Sequence, residues 1–307
     1  MLCLAAAAMS CSDSGGDAHT PSDPDNGKDN EQPKEYEWEQ YVPSYPAENG
    51  RRVVLSANVA KDPYQIVSDA GYNPSEIPDM CTNNHGYLKQ IRHVTQEADP
   101  FLGKDVFVFH IHAAHDNDRG LPEITDRQRN EIKTDAHSPA DMRGAEGEKH
   151  HYRWKFRLPE DFRPTGNFTH IHQLKGMGGD DIAQPLITLT PRYKSSGNLM
   201  QLIYNGPYST ANVYLAEVKL EDFLGHWVIV DQWVTYSHTG DYMMQIVRLT
   251  DGKTLIFYRV NQLDMWREGA TDIRPKYGIY RSITATNPAI KDETIRFADF
   301  ELTEILP

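Results

Sequence analysis

Three short segments of the sequence concentrate the side chains that carry acid–base chemistry and bind anions. The first is 126–133, Asp-Arg-Gln-Arg-Asn-Glu-Ile-Lys. As a strand it places Arg127, Arg129, Glu131 and Lys133 on one face, because side chains alternate along a strand. Such a face is either a solvated strand surface or the wall of a polar groove. Arginine's planar fork suits a groove that binds carboxylates.

The second segment is 168–175, Phe-Thr-His-Ile-His-Gln-Leu-Lys. In a regular strand His170 and His172 share one face, and Gln173 and Lys175 share the other. Histidine is the usual general base near neutral pH, and a glutamine amide can hold a neutralised carboxylate. The competing interpretation is a pair of hydrogen-bonded histidines on a sheet surface.

The third segment is 274–281, Arg-Pro-Lys-Tyr-Gly-Ile-Tyr-Arg, with three bases and no acid. Lys276, Gly278 and Tyr280 share a face, and a glycine in a strand allows a ligand or another backbone to approach closely. Positive charge beside Tyr280 should favour its phenolate form, so this side chain can give or take a proton. The alternative is that Tyr280 is an aromatic core residue.

Period-2 alternation predicts the strands that position these segments. In 151–158 the apolar side chains Tyr152, Trp154, Phe156 and Leu158 alternate with polar ones. The other predicted strands are 105–112, 126–133, 168–175, 185–191, 199–205, 227–236, 242–250, 254–260, 276–283 and 294–303. Short helices are predicted over 217–224 and within 62–70. This content predicts an all-β fold, a single-domain antiparallel β-sandwich of the jelly-roll type with a concave substrate groove.

Two further clusters carry side chains that could bind a metal ion. His110, His112 and His115 could ligate zinc, but no carboxylate or cysteine lies at a matching spacing, so no metal site is predicted. A metal-dependent enzyme built on these histidines stays as an alternative. Residues 115–118, His-Asp-Asn-Asp, carry oxygens for a structural calcium ion, without the spacing of a known calcium loop. No cofactor is required.

The charge of the chain restricts its partners. Its 307 residues hold 31 Lys and Arg against 44 Asp and Glu, a net charge of −13. This acidity argues against nucleic-acid binding, which needs a basic surface. Residues 11–50 alone hold ten acids and two bases. The rest is only mildly acidic, so an anionic partner can still bind where bases cluster.

The amino terminus predicts export. Residues 1–11 are expected to be the remainder of a signal peptide, and Ala8-Met9-Ser10-Cys11 resembles a bacterial lipobox, whose cysteine is lipidated. Residues 12–50 are expected to form a disordered acidic tether, and 51–307 the β-jelly-roll domain. The expected location is the bacterial outer membrane or cell surface, with membrane contact only through Cys11. A plain secretion signal is the alternative.

Together, the three segments resemble the jelly-roll polysaccharide lyases. The similarity covers roughly residues 80–305, and it is greatest to the glucuronan lyase family, which is related to the alginate lyases. It implies a lyase-like domain that acts on an anionic, uronic-acid-containing polysaccharide by β-elimination. In that reaction the C5 carboxylate is neutralised, the C5 proton is removed and O4 is protonated. We expect a monomer.

The resemblance also implies roles by position. Arg129 matches the family arginine near the carboxylate, His172 the histidine of Gln-Ile-His, Lys276 the lysine of the third motif, and Tyr280 its proposed acid and candidate base. The family glutamine falls at His170 here, and a glutamine stands at Gln173. The carboxylate neutraliser is therefore open among His170, Gln173 and Arg129.

Basic residues on or beside these strands are expected to bind the substrate: Arg127, Lys133, Lys175, Arg192, Lys276 and Arg281. The alternative function is a non-catalytic glycan-binding surface lipoprotein on the same sandwich. In that case Trp233, Tyr236 and Trp266 would stack on sugar rings.

Overall fold

The computed structural model describes residues 37–42, 50–209, 211–284 and 288–307. All of them belong to one compact unit, Tyr36–Pro307. The predicted signal remainder with Cys11 lies outside the described residues, as does most of the predicted tether. None of the helices in the described part has the length and apolarity needed to span a bilayer.

Nearly half of the described residues are in strands and few are helical, as the alternation predicts. The strands and the one α-helix, in chain order, are β1 Gly50–Leu55, α1 Pro63–Asp69, β2 Asn73–Glu76, β3 Val94–Asp99, β4 Lys104–Ile111, β5 Arg127–Lys133, β6 Lys149–Arg157, β7 Thr169–Met177, β8 Ile187–Arg192, β9 Leu199–Tyr204, β10 Val213–Lys219, β11 Trp227–Thr235, β12 Gly240–Arg248, β13 Thr254–Leu263, β14 Asp272–Ser282 and β15 Glu293–Ile305. Each strand predicted from the sequence is present, within a few residues at its ends.

The strands form two antiparallel sheets. One has the order β13-β12-β11-β6-β15-β4-β3, with β1 also paired to β15. The other has the order β10-β9-β8-β7-β14-β5-β2. Neighbours in each sheet are mostly distant in sequence, so the chain passes repeatedly between the sheets. The prediction of a jelly-roll sandwich is confirmed.

The core lies between the two sheets. Tyr152, Trp154, Phe156 and Leu158 are fully buried there, as the alternation of 151–158 predicts. They join a single large apolar cluster that includes residues of both sheets. Burial of aromatic and branched side chains on both inner faces supplies the main driving force for the sandwich.

The two helix predictions have opposite outcomes. The prediction within 62–70 is confirmed by α1, which begins after Asp62; the Asp62 carboxylate accepts hydrogen bonds from the backbone N–H groups of Tyr64 and Gln65. The prediction over 217–224 is wrong. That segment contains the end of β10 and a 3₁₀ helix, Leu220–Asp222. The apolar residues of this segment belong to two elements, Val218 to the end of β10 and Leu220 and Phe223 to the 3₁₀ turn, and their combined spacing resembles that of a helix.

A short part of the predicted tether is ordered. Residues Glu37–Tyr41 form a 3₁₀ helix. Trp38 is buried against Phe101, with ring centroids 6.5 Å apart, and belongs to a second apolar cluster with Trp227 and Ile229. This cluster covers the eight-stranded sheet on the side away from the main core. The other residues of 12–50, apart from 42 and Gly50, lie outside the described residues.

A bulge in β14 decides which side chains of the seven-stranded sheet face outward. Tyr277 pairs with His172 and Tyr280 with His170, so Gly278 and Ile279 of β14 oppose one residue of β7. Tyr277 and Tyr280 are three residues apart and lie on opposite faces. Gly278 has a φ of 144°, and a Cβ there would lie 2.1 Å from the carbonyl oxygen of Asn130 in β5. Only glycine fits this position.

We predict that Gly278→Ala destabilises the protein by at least about 2 kcal/mol, because it adds both backbone strain and a collision with β5. Urea unfolding followed by far-ultraviolet circular dichroism measures the loss. Gly206→Ala is the matched control, since a Cβ at Gly206 makes only contacts of 3.4 Å or more. Equal stability of the two variants would contradict this account of the bulge.

Candidate functional site

The outer face of the seven-stranded sheet collects the charged side chains of β5 and β14. Arg127, Arg129, Glu131 and Lys133 share this face, as the alternation predicts. Across the strand pair, Tyr280 lies opposite Arg129 and Gly278 opposite Glu131. The two strands are regular relative to each other, so their outward residues form one continuous polar surface.

Arg129 is the centre of a buried ion-pair network. Its Nε donates to Asp118 Oδ1 at 2.7 Å, and its two terminal nitrogens donate to Glu131 at 2.7 Å, to Glu76 at 3.3 Å and to Asp118 Oδ2 at 3.3 Å. Burial lowers the pKa of Arg129, but Glu76 and Glu131 outweigh it and raise that pKa well above its ordinary value. Arg129 therefore stays charged, and its donors are committed to the protein's own carboxylates.

Lys276 and Lys133 complete the network around Glu76. Lys276 Nζ pairs with Glu76 and, at 3.0 Å, with Glu131, while Lys133 Nζ lies 3.1 Å from Glu76. Burial raises the pKa of Glu76, yet the cations Lys276, Arg129 and Lys133 hold it well below its usual range. Both lysines were expected to bind substrate, and both are engaged inside the protein.

Tyr280 lies flat on this network. The Arg129 guanidinium is 3.6 Å from the centre of the Tyr280 ring, and Arg127 donates to the Tyr280 hydroxyl at 2.8 Å. Burial raises the pKa of Tyr280, and the opposing pull of Arg129 and Arg127 reduces the rise without cancelling it. The nearby cations do favour the phenolate, as expected from the sequence, but their effect on the pKa is smaller than that of burial. At neutral pH Tyr280 is a protonated phenol whose oxygen accepts from Arg127.

His170 stands beside Tyr280 on the same face, with ring centroids 5.9 Å apart. Its Nδ1 is 2.8 Å from Thr190 Oγ1, and the Thr190 hydroxyl donates to Thr188 Oγ1 at 2.9 Å. Since the hydroxyl proton is used on Thr188, Nδ1 must donate to Thr190, which leaves the lone pair on Nε2. Burial, together with the charges of Arg192 and Arg129, lowers the pKa of His170 to about 3. The free ring is neutral and presents an acceptor nitrogen.

His172 does not belong to this site, and its placement corrects the sequence prediction. It is fully buried between the sheets, where Nε2 lies 2.8 Å from Gln232 Oε1 of β11. Its ring stacks on Tyr277 and contacts Trp154, with centroids 4.8 and 4.4 Å away. The cause is the β14 bulge, because His172 pairs with the inward Tyr277 while His170 pairs with the outward Tyr280.

Gln173 faces outward, as strand parity relative to His172 requires. Its amide donates to Glu131 Oε1 at 2.5 Å. Of the three candidates for carboxylate neutraliser, Gln173 and Arg129 therefore have their donors engaged with Glu131. His170 has a ring nitrogen, Nε2, for which no hydrogen-bond partner is found among the described residues, but this nitrogen is an acceptor in the neutral ring and suits a base rather than a carboxylate neutraliser.

The remaining basic candidates separate into two groups. Lys175 donates to the Ala183 carbonyl at 3.0 Å, and Arg192 to Gln201 and, at 3.3 Å, to the Gly166 carbonyl; neither forms an ion pair with a carboxylate in the described part of the chain. Burial, then Lys276 and Arg129, lower the pKa of Lys175 to about 8. Arg281 is different: it lies on the face of β14 opposite Tyr280, nearly fully buried, with Gln128 as its partner. The expectation that Arg281 binds substrate is wrong.

The other clusters weighed from the sequence do not converge. His110 contacts Thr95, His115 makes an edge-to-face contact with Tyr87, and His112 lies beside His93. In the proposed calcium segment, Asp116 contacts His93 while Asp118 holds Arg129, so the two carboxylates serve different partners. These placements leave neither the three-histidine cluster nor that calcium loop intact.

Two of the three aromatic residues expected to stack on sugar rings are unsuited to it. Tyr236 and Trp266 are buried in the core. Trp233 is partly buried: its ring stacks on His151, with ring centroids 4.1 Å apart, and Lys149 Nζ lies 5.1 Å from its centre.

Sequence reasoning missed three residues that build the site: Glu76, Asp118 and Thr190. Glu76 ends a four-residue strand, Asn-Pro-Ser-Glu, with no apolar alternation to reveal it. Asp118 was noticed only as a calcium candidate. Thr190 lies within 185–192, Pro-Leu-Ile-Thr-Leu-Thr-Pro-Arg, where its outward position follows from the alternation of that strand.

No known family model matches the chain, and no curated protein matches it. Several solved structures are similar. An endo-β-1,4-glucuronan lyase from the fungus Trichoderma reesei aligns over 68% of this chain and 86% of its own, at 17% identity and a TM-score of 0.47. Alginate lyase A1-II', a member of polysaccharide lyase family 7, aligns over 71% and 85%, at 12% identity and a TM-score of 0.48. The alginate lyase AlgAT5, also of family 7, aligns over 76% and 99%, at 14% identity and a TM-score of 0.45. The likeness concerns the fold alone, and the chemistry of this chain rests on its own side chains.

We predict that Asp118→Ala lowers the free energy of unfolding by about 3–5 kcal/mol, because it leaves the buried Arg129 charge short of a partner. Urea unfolding checks this. Asp126→Ala is the matched control: its ion pair with Arg127 is exposed, and its loss should change stability by less than about 1 kcal/mol. A small effect of Asp118→Ala would show that Arg129 does not depend on this carboxylate.

Proposed function

We propose that this protein is a polysaccharide lyase that cleaves a uronic-acid-containing polymer, glucuronan-like in its configuration, by β-elimination. One observation carries the proposal: the protonated Tyr280 phenol, held between Arg127 and Arg129, stands beside neutral His170 with its Nε2 lone pair available. An acid, a base and flanking cations on one sheet face are the groups that the elimination needs.

The acid and base roles follow from the two protonation states. His170 Nε2 takes the C5 proton, and the electron pair of that C–H bond forms the C4=C5 double bond. The C4–O4 bond breaks, and the Tyr280 hydroxyl gives its proton to O4. Proton transfer from the imidazolium to the phenolate, through solvent, restores both groups. Arg127 stabilises the phenolate while it exists, because its guanidinium already contacts the phenol oxygen.

The positions of acid and base favour one stereochemistry. His170 and Tyr280 project from the same sheet face, on paired positions of β7 and β14. They therefore reach a sugar ring from one side, which suits a uronate whose C5 hydrogen and O4 lie on the same side. Gluco-configured uronates have this arrangement. A single Tyr280 that acts as both base and acid would also reach the sugar ring from one side. Its raised pKa disfavours the phenolate that a base requires, and so favours His170 as the base and Tyr280 as the acid.

Neutralisation of the substrate carboxylate falls to cations near His170 whose charge the buried network does not consume. Arg127 is the best placed, since it is 35% exposed, reaches the Tyr280 hydroxyl, and would exchange its exposed partner Asp126 for the substrate carboxylate. Lys175 of β7 and Arg192 of β8 extend positive charge along the face, where neighbouring uronates of the polymer would bind. Arg129, Lys133 and Lys276 act indirectly, by holding Tyr280 and the strands in place.

We also propose that the chain is an exported lipoprotein, anchored through lipidated Cys11 and acting on its polymer outside the cell. The lipobox resemblance and the acidic segment that follows it support this. Cys11→Ala should move the protein from the membrane fraction to the soluble fraction of its host. Unchanged fractionation would argue for a different form of export.

The decisive test is Tyr280→Phe. The wild-type protein should release unsaturated product from glucuronan, or from a related uronan in a panel that includes alginate, detected by ultraviolet absorbance. The variant should lose about 10²- to 10⁴-fold in kcat while still binding the polymer in affinity electrophoresis, because it lacks only the transferable proton. Tyr258→Phe on β13 is the matched control and should keep full activity. If the folded wild type gives no product on any uronan, the proposed function is wrong.

A second prediction uses the pKa of Lys175, which is near 8. A lysine with this pKa is charged below pH 8 and neutral above it, so KM for the anionic polymer should rise about 2- to 10-fold as pH passes from 7 to 9. Lys175→Arg keeps its charge and should remove this rise. Lys194→Arg, at an exposed position, should leave the wild-type profile unchanged. A profile that is the same in all three proteins would exclude Lys175 from substrate binding.

A further inference from the structure

A cluster of metal-ligating side chains lies at the end of the sandwich, apart from the sheet face described above. His93 precedes β3, His112 follows β4, and Asp116 lies in the connection to β5. Their nearest ligand atoms all lie within 4.8 Å of one another. Of His110, His112 and His115, only His112 takes part. Its partners are His93, which is 19 residues earlier in the chain, and the carboxylate of Asp116. We propose that His93, His112 and Asp116 bind one divalent transition-metal ion, with Zn²⁺ as the best fit.

The distances suit tetrahedral coordination. With zinc–nitrogen bonds of about 2.0–2.1 Å, two ligand atoms of a tetrahedron lie about 3.3–3.4 Å apart. His112 Nδ1 is 3.3 Å from His93 Nε2 and 3.5 Å from Asp116 Oδ2. The third contact, His93 Nε2 to Asp116 Oδ1, is a 2.8 Å hydrogen bond, so metal binding replaces that hydrogen bond and requires a small turn of the carboxylate.

The surroundings orient the ligand atoms. His93 Nδ1 lies 2.9 Å from the Ile91 carbonyl and 3.1 Å from Asp79 Oδ1, and both of these accept. Nδ1 therefore keeps its proton, and Nε2, which donates to Asp116 Oδ1 in the metal-free cluster, would release its proton to solvent and ligate the ion with the freed lone pair. A carboxylate behind a ligating histidine is the usual outer arrangement of zinc sites. The backbone N–H of His112 donates to Asp116 Oδ2 at 2.6 Å, which fixes that carboxylate.

The donor set and the burial select the ion. Two imidazoles and one carboxylate suit zinc and related ions, whereas calcium prefers an all-oxygen shell. The side chains of His93 and Asp116 are fully buried, and that of His112 is 23% exposed, so a fourth position for water faces the solvent beside His112.

A metal ion here would stabilise the loop that supports the site on the sheet face, and it would take no part in the reaction. The ion would join the start of β3 to the loop after β4. Two residues beyond Asp116, the same loop supplies Asp118, which holds Arg129 beneath Tyr280. Metal binding should therefore raise the stability of the folded chain, and this inference stands whether or not the proposed function is correct.

The test measures stoichiometry and stability on the full chain. Chelator-treated protein is dialysed against Zn²⁺ or Ca²⁺, the bound metal is counted by elemental analysis, and thermal unfolding is recorded. We expect one zinc ion per chain and a rise in Tm of about 2–8 °C at saturating Zn²⁺, with no rise in Ca²⁺. Absence of stoichiometric zinc, with no change in Tm, would overturn the proposal and leave a hydrogen-bonded His–Asp cluster.

Variants locate the ion. His112→Ala should abolish both zinc retention and the Tm rise, whereas His115→Ala, in the same loop but in contact with Tyr87, should keep both. Retention of zinc by His112→Ala would place the ion elsewhere and overturn the assignment. Cobalt substitution of the wild type gives a readout that needs no variant: four-coordinate Co²⁺ absorbs strongly in the visible, and a weak six-coordinate spectrum would contradict the proposed geometry.

Discussion

The buried ion-pair network around Arg129 is the constraint on which the sheet face depends. A charge removed from water costs several kcal/mol unless it is paired and hydrogen-bonded. Here four cations, the buried Arg129 and Lys276 and the partly exposed Lys133 and Arg119, meet three carboxylates, Glu76, Asp118 and Glu131. The carboxylates come from β2, a loop and β5, so the network can form only when these segments are correctly folded together. Its position fixes Tyr280, whose ring lies on the Arg129 guanidinium.

A network whose charges are nearly balanced attracts a polyanion only weakly. Its committed donors serve the fold, and attraction falls to Lys175 and Arg192 and to Arg127, whose partner Asp126 is exposed and can be exchanged. This division explains how a chain with a net charge of −13 can present a face suited to an anionic polymer. Much of the negative charge lies in residues 11–50, and the carboxylates of the sheet face are paired.

Strand alternation predicted the sandwich and the outward side chains of β5. It gave the wrong face for a side chain where a bulge in the strand pairing interrupts the alternation. Arg127 and Arg129 were placed correctly because β5 and β14 are in regular register. His172 was placed wrongly because the bulge is a property of the β7–β14 pair, and no pattern within 168–175 records it. Glu76 and Asp118 could not be found, since each owes its role to Arg129, 53 and 11 residues away. Fold class follows from local periodicity, whereas a buried network follows from long-range pairing.

The opposite pKa shifts of His170 and Tyr280 indicate how the proposed reaction would be controlled. Burial and neighbouring cations lower the pKa of His170 to about 3, while burial raises that of Tyr280. Both groups are thus neutral before substrate binds, and His170 is then a weak base. A bound uronate would offset the positive charge of Arg192, Arg129, Lys175 and Lys276, which depress the His170 pKa, and so raise its basicity. Proton transfer would then place imidazolium and phenolate side by side, where each stabilises the other. The substrate's own carboxylate would activate the base that attacks it, which restricts the chemistry to an acidic sugar.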